Sequence, residues 1–245
     1  MSYLRTMGIV IKEVNTGEAD RIITVLTKKD GKISCIARGA RRGRSRLIAG
    51  TQLLSYSEFM LYKGKDLYTV NSCDIIESFY DIRNDMHKLT YAAHILSIVN
   101  DVIHENQPSP GVLQLLLNTL YVLSKKDKNI ILVTSIFEMR FLSILGYAPN
   151  IKQCSDCEEV NDENLRFSFN KCGIVCSKCC DKLDVCLSHS VLSALIHILY
   201  SSSKQLFSFN LSDDCIKELS LLTRRYLNER LEKNYSKLDF LKTLK

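Results

Sequence analysis

Apolar and polar positions along this chain change rhythm twice. Over roughly the first 78 residues, short β-branched apolar runs alternate with turn signals. Residues 7–15 (MGIVIKEVN) form the first run, and a turn-like TGEAD follows. Residues 22–27 (IITVLT) and 32–38 (KISCIAR) flank a KKDG turn, and Asp30-Gly31 between two strand-like runs is a hairpin signal. Residues 53–63 and 66–78 flank Lys63-Gly64-Lys65 as a second hairpin. Five closely spaced strands with no long helix predict a small barrel. A five-stranded Greek-key barrel of the oligonucleotide-binding type (OB-fold) fits this pattern.

Near residue 80 the period becomes helical. Residues 85–105 place apolar side chains at 86, 89, 92, 93, 96, 99, 102 and 103. A loop with Pro108 and Pro110 separates this helix from the next, over 111–125, where a proline near the start is tolerated. A third helix covers 129–146 and is stopped by Gly146, with Pro149 beyond. All three are strongly apolar and are expected to pack on one another as a bundle. Residues 151–186 lose the period. Helices return at 189–201 and 212–233, the last with Ser212 as its expected cap and Asp213 and Asp214 at its positive end. The expected fold is therefore multidomain α+β: a barrel over 1–79, then an α-helical domain over 80–245 carrying the irregular segment 151–186.

Composition narrows the class. The chain is 46% hydrophobic and 24% charged, an ordinary globular balance, and three prolines in 245 residues argue against long disordered linkers. The opening residues lack the apolar core of a signal peptide, and no run approaches the ~18 apolar residues of a membrane span, so a cytoplasmic protein without a membrane partner is expected. Net charge is +6, and residues 1–77 alone carry +5. A polyanion would be drawn to that third of the chain.

The charge concentrates in residues 32–46, KISCIARGARRGRSR. Lys32, Arg38, Arg41, Arg42, Arg44 and Arg46 stand there without one acid, and Gly39 and Gly43 break the segment into a short, mobile tip. It reads either as a solvated charge run or as a contact for nucleic-acid phosphate. Tyr56, Phe59, Tyr62 and Tyr68 lie on the second hairpin. Strand alternation puts Tyr56 and Tyr62 on one face and Phe59 on the other, so only some can stack bases. GARRGRS lacks the G-K-[ST] ending of a phosphate loop, so no nucleotide hydrolysis is expected. The five histidines form no H-x3-H pair, and no nucleophile–base constellation stands out. Glu18 and Asp20 are expected to fix their turn or to pair with Arg21 or a loop arginine. No enzyme activity is expected.

Ten cysteines in a reducing compartment point to metal before disulfides. Cys154-x2-Cys157 and Cys176-x2-Cys179 are separated by residues 158–175, a zinc-ribbon spacing. Two knuckles can close a tetrahedron of four thiolates around one zinc, which leaves no open position and makes the site structural. Cys172 and Cys180 offer alternative sulfurs, and the ligands alone do not exclude iron. A redox pair fits the two knuckles less well than metal does. Cys35, Cys73 and Cys215 read as small buried hydrophobes.

Residues 17–46, GEADRIITVLTKKDGKISCIARGARRGRSR, resemble the N-terminal region of the bacterial recombination mediator family RecO: a strand, a GE-x-D-R turn, a T…GK hairpin and a KGAR-type basic loop in that order. The helical segment from about residue 80, and the paired C-x2-C knuckles soon after Leu145-Gly-Tyr-Ala-Pro149, extend the resemblance over the chain. It implies an oligonucleotide-binding barrel and a mostly helical domain bearing a zinc ribbon. It also implies binding of single- and double-stranded DNA, strand annealing, and help in loading RecA onto DNA coated by single-strand-binding protein. RecR and the acidic tail of single-strand-binding protein are the implied partners. By position, Arg38, Arg41, Arg42, Arg44 and Arg46 match the basic loop, and Cys154, Cys157, Cys176 and Cys179 the metal site. The family often has Gly-Gly before the second knuckle, whereas Cys172 precedes Gly173 here. Two other classes stay open: a protein-interaction adaptor with a structural zinc ribbon, and a nucleic-acid-processing enzyme that uses the barrel as a platform.

Overall fold

In the computed structural model, which describes residues 3–160, 164–235 and 238, one long strand organises the barrel. Strand β1 (Tyr3–Thr16) pairs antiparallel with two neighbours at once. Its first half runs against β4 (Tyr56–Lys63) and its second half against β2 (Asp20–Thr27). The register shifts between Val10 and Lys12, where the side-chain alternation breaks and Ile9, Val10 and Ile11 are all buried. An irregularity of this kind bends a strand, which lets β1 turn from one neighbour to the other. β2 pairs with β3 (Lys32–Ala37), and β4 pairs with β5 (Tyr68–Glu77). A narrow parallel seam, Cys35 to Tyr68 and Ile36 to Thr69, joins β3 to β5 and closes the ring in the order β1-β2-β3-β5-β4. This is the oligonucleotide-binding topology. Its core holds Val10, Ile23, Val25, Ile33, Phe59, Leu61 and Val70.

A short helix α1 (Tyr80–Arg83) follows, then α2 (Met86–Val102) and α3 (Pro110–Lys125). Asp85 caps α2 by accepting from the His87 and Lys88 amides, as N-cap carboxylates do. α2 packs on β1 as well as on α3. The loop after α2 lies against the β2–β3 turn, where Gly31 adopts φ +70 and a Cβ would stand 2.3 Å from the Gln107 carbonyl oxygen. Barrel and first helices make one compact unit that reaches Lys125.

The second unit is Lys126–Tyr235. It contains α4 (Ile130–Ile144), α5 (His189–Tyr200) and α6 (Asp213–Arg230) as its helical bundle. Arg140 on α4 donates to the carbonyls of Ile198, Leu199 and Ser201, satisfying acceptors that the end of α5 leaves open. Between α4 and α5 a small sheet forms from β6 (Arg166–Ser168), β7 (Gly173–Val175) and β8 (Val185–Cys186), in the order β7-β6-β8. Phe167 and Phe169 pack against Tyr226 of α6 and anchor that sheet to the bundle.

Two expectations need correction. The three apolar helices over 85–146 do not form one bundle, because α2 and α3 share the barrel's unit while α4 takes α5 and α6 as partners. α4 is buried without a break from Leu132 to Met139, so periodicity names no partner for it. Ser212 occupies the N-cap of α6 but makes no side-chain cap bond there. Residues 161–163 of the expected ribbon, and 236, 237 and 239–245 at the end of the expected helical domain, lie outside the described residues. Among the described residues no helix is long and apolar enough to cross a membrane.

Gly31→Ala should destabilise the first unit by about 2 kcal/mol or more, since the side chain meets both a left-handed φ and a backbone oxygen. Urea denaturation would show this as a lower midpoint. A midpoint equal to that of the parent would mean that the contact relaxes without cost.

Candidate nucleic-acid interface and metal centre

The connection from β3 to β4, residues 38–55, is a chain of hydrogen-bonded turns. The expected short tip is thus part of a longer, hydrogen-bonded connection. Gly39, at φ +63, lets the chain turn away from β3, and its amide donates to Asp20 Oδ1 at 2.7 Å. The Arg41 amide donates to the Ala19 carbonyl at 2.9 Å, and the Arg42 and Ser45 amides donate to the Gly39 and Arg42 carbonyls. Ala40 drops into the barrel core. The far half is pinned more heavily. Leu54 and Val10 bond through their main chains, as do Val10 and Ser55. The Leu53 amide donates to Glu13 Oε2 at 2.8 Å, and Glu13 also pairs with Arg21 at 3.4 Å. Arg83 donates to Gln52, to the Leu53 carbonyl and to Ser55 Oγ. Burial lowers the Arg83 pKa, with the nearby Glu13 carboxylate opposing the shift.

On this frame Arg38, Arg41, Arg42, Arg44 and Arg46 are all exposed. Among the described residues none of them forms an ion pair. Arg41 makes one long contact, from Nη1 to the Glu18 carbonyl at 3.4 Å. Lys32 is placed differently. It lies on β3, and its ammonium donates to the Asn100 carbonyl at the end of α2. Of the four hairpin aromatics, Phe59 is fully buried and Tyr56 and Tyr62 point outward, as the alternation requires. Tyr68 packs on the core edge.

The other feature is a cluster of four sulfurs. Cys154, Cys157, Cys176 and Cys179 place their Sγ atoms within 4.8 Å of one another. A tetrahedral ion with bonds of about 2.3 Å to sulfur needs sulfurs roughly 3.8 Å apart, and Cys157 and Cys176 stand at 3.6 Å, so the cage fits such an ion. Each knuckle is a tight turn. The Glu158 amide reaches the Cys154 carbonyl, and the Cys179 amide reaches that of Cys176. The Ser155 amide bonds to the Ile174 carbonyl and ties the first knuckle to β7. Burial raises the Cys154 thiol, but amides of Cys157, Cys176 and Asp156 outweigh it and bring its pKa down to about 6. Crowding by the Cys157 and Cys176 sulfurs pushes Cys179 well above the usual thiol range. Four sulfurs this close cannot all ionise without a cation. Cys172, Cys180 and Cys186 lie outside the cage: Cys172 accepts from Arg230 Nη1 at 2.9 Å, and Cys180 donates to the Ser177 carbonyl. Cys35 is buried, while Cys73 and Cys215 are only partly so.

Sequence reasoning missed the residues that hold the loop. Asp20 was assigned to its own turn or an arginine, and it grips a main-chain amide of the loop. Glu13 and Arg83 carried no signal, because each acts on backbone about thirty or forty positions away.

The family model described as "Recombination protein O N terminal" matches residues 1–79, and "Recombination protein O C terminal" matches residues 83–239. Over 246 residues the chain is 58% identical to "DNA repair protein RecO" of Acetivibrio thermocellus, covering 100% of this chain and 98% of that one. A protein of the same name from Caldicellulosiruptor saccharolyticus is 34% identical over 245 residues, with both chains fully covered. The Alkaliphilus metalliredigens protein is 30% identical over 244 residues, covering 98% of this chain and 99% of its own.

Metal analysis of reduced protein should find about one ion per chain, and Cys176→Ser should lower that content. Ligand thiolates must take up protons to release an ion, so retention should fall as pH drops from neutrality toward 5. Retention that does not change with pH would argue that the sulfurs are not the ligands.

Proposed function

The chain belongs to the RecO family of DNA repair proteins, and on that premise we propose that it is a recombination mediator. In this reading it binds single- and double-stranded DNA, anneals complementary strands, and helps load RecA onto DNA coated by single-strand-binding protein. The observation that carries the reading is the set of five exposed arginines, none in an ion pair among the described residues, on a hydrogen-bonded loop over an oligonucleotide-binding barrel.

Guanidinium groups displace counterions from phosphate, which supplies affinity that falls with salt. Contacts to phosphate fix position and carry no sequence information, as annealing of arbitrary complements requires. Two strands held on one basic surface repel each other less, so complementary bases meet more often. Arg38, Arg41, Arg42, Arg44 and Arg46 take this role, and Lys32 supports it by holding β3 to α2. No step needs a nucleophile or a proton transfer, in keeping with a protein that is not an enzyme.

The ion of the cysteine cage is proposed to be zinc, which would tie the two knuckles together and do no chemistry on DNA. RecR and the acidic tail of single-strand-binding protein are the proposed partners, and the cytoplasm, at the nucleoid, is the proposed location. Family membership supports these assignments.

Arg41, Arg42 and Arg44 changed together to Ala should weaken DNA binding. Loss of ~3 phosphate contacts on a single strand should reduce the salt slope by about 2. The parent should accelerate annealing of complementary oligonucleotides, with and without single-strand-binding protein, and the triple variant should not. An unchanged slope would remove the loop from the interface.

A further inference from the structure

Two bulky, buried residues of the first unit hold backbone that side chains avoid. Leu54 has φ +70, and Phe79, at the start of α1, has φ +46. Left-handed backbone at such residues costs free energy and persists only where the surroundings over-determine it. One side chain connects the two. Arg83 ends α1, the helix that Phe79 opens, and its guanidinium donates to Gln52, to the Leu53 carbonyl and to Ser55 Oγ. It therefore grips the chain on both sides of Leu54. The helix that carries it is itself held. Glu77 accepts from the Ser78 and Phe79 amides at 2.9 and 3.0 Å, and Asp81 ties α1 to Ser124 and Lys125 at the end of α3.

The grip continues toward the exposed arginines. Ser55 Oγ, which accepts from Arg83, donates to the Ala49 carbonyl at 2.8 Å. The Thr51 amide and hydroxyl both donate to the Leu47 carbonyl. The Ile48 amide reaches the Ser45 carbonyl, and the Ser45 amide reaches that of Arg42. Overlapping turns thus lead from Arg83 back to Arg42.

We propose that Arg83 is a positioning residue for nucleic-acid binding: it makes no contact with the nucleic acid itself and holds residues 45–55 so that the loop arginines are presented as a preformed set. A segment already ordered in the free protein loses less conformational entropy when it binds. The planar guanidinium suits this task, because its fork reaches three acceptors at once and the point charge of an ammonium does not. The inference rests on the DNA-binding reading above and goes beyond it, since a residue without a phosphate contact sets the affinity.

Full-length, metal-replete parent, Arg83→Ala and Arg83→Lys would be compared by anisotropy of a labelled oligo-dT of about 12 residues over a range of salt concentrations. Cleavage by an arginine-specific protease, without DNA, would report the loop itself. Arg83→Ala should bind about tenfold more weakly at every salt concentration, with the parent's salt slope, because the phosphate contacts of the complex are unchanged. Its cleavage within residues 38–46 should be faster. Arg83→Lys should stay weak, since it restores the charge and not the fork. A slope lower by about 0.7 in Arg83→Ala, or parent-like affinity in Arg83→Lys, would make Arg83 a direct phosphate contact and overturn the proposal. Parent-like affinity in Arg83→Ala overturns it too, whatever the cleavage rate. Gln52→Ala keeps the arginine and removes one acceptor, so it tests the clamp even if Arg83→Ala fails to fold. It should bind about threefold more weakly with an unchanged slope, and parent-like affinity there counts against the clamp. No binding by the parent overturns the DNA-binding reading, and with it the role given to Arg83.

Discussion

Like charges packed into a short stretch of chain repel, and that constraint governs how this protein is built. Five arginines within nine residues cannot be quieted by acids without losing the charge that a polyanion would meet. The fold meets the difficulty by aiming its nearby carboxylates at backbone. Asp20 takes the Gly39 amide, and Glu13 takes the Leu53 amide. Main-chain bonds between the loop and β1 do the rest, and Arg83 fastens the far half through carbonyl and hydroxyl oxygens. The loop is tethered at both ends by contacts that leave its own guanidinium groups exposed, with only a long Arg41–Glu18 bond among them.

The second unit solves a different problem. Its inserted sheet has strands of two or three residues, too short to be stable alone. Two anchors compensate. On one side Phe167 and Phe169 lean on Tyr226 of α6, and on the other the two knuckles converge on one point. Lys171 crosses between the knuckles, bonding to Asp156 and to the Cys179 carbonyl. A cation in the cage would relieve the repulsion among thiolates that the bare sulfurs relieve only by holding protons.

What could be read from the sequence was whatever is local. The hairpins announce themselves through Asp30-Gly31 and Lys63-Gly64-Lys65, and the strands between them alternate. The sulfur cage follows from spacing, because each knuckle is one turn long. The four sulfurs of the two knuckles are the ones that converge, while Cys172 and Cys180 lie outside their cluster. What escaped was convergence over distance. Neither the split pairing of β1 nor the grip of Arg83 on residues 52–55 leaves a local trace. Helix partners escaped for a related reason: α4 is buried around too much of its circumference for periodicity to choose a neighbour. Ser212 shows the limit of a local rule, since a residue can hold the cap position while its hydroxyl makes no cap bond.

The divided pairing of β1 also sets an order of assembly. Its second half finds β2 within a few residues, but its first half has no partner until β4 has been made some fifty residues later. Closing a loop of that length costs chain entropy before any contact repays it. During that interval residues 3–9 present an unpaired strand edge, the kind of surface on which nascent chains associate. The segment emerging from the ribosome at that stage is the arginine-rich one, and Arg5 sits on the edge itself. A cationic stretch beside an open edge repels another copy of the same chain. The charge that suits the folded protein to a polyanion thus also acts as a gatekeeper for the half-made barrel.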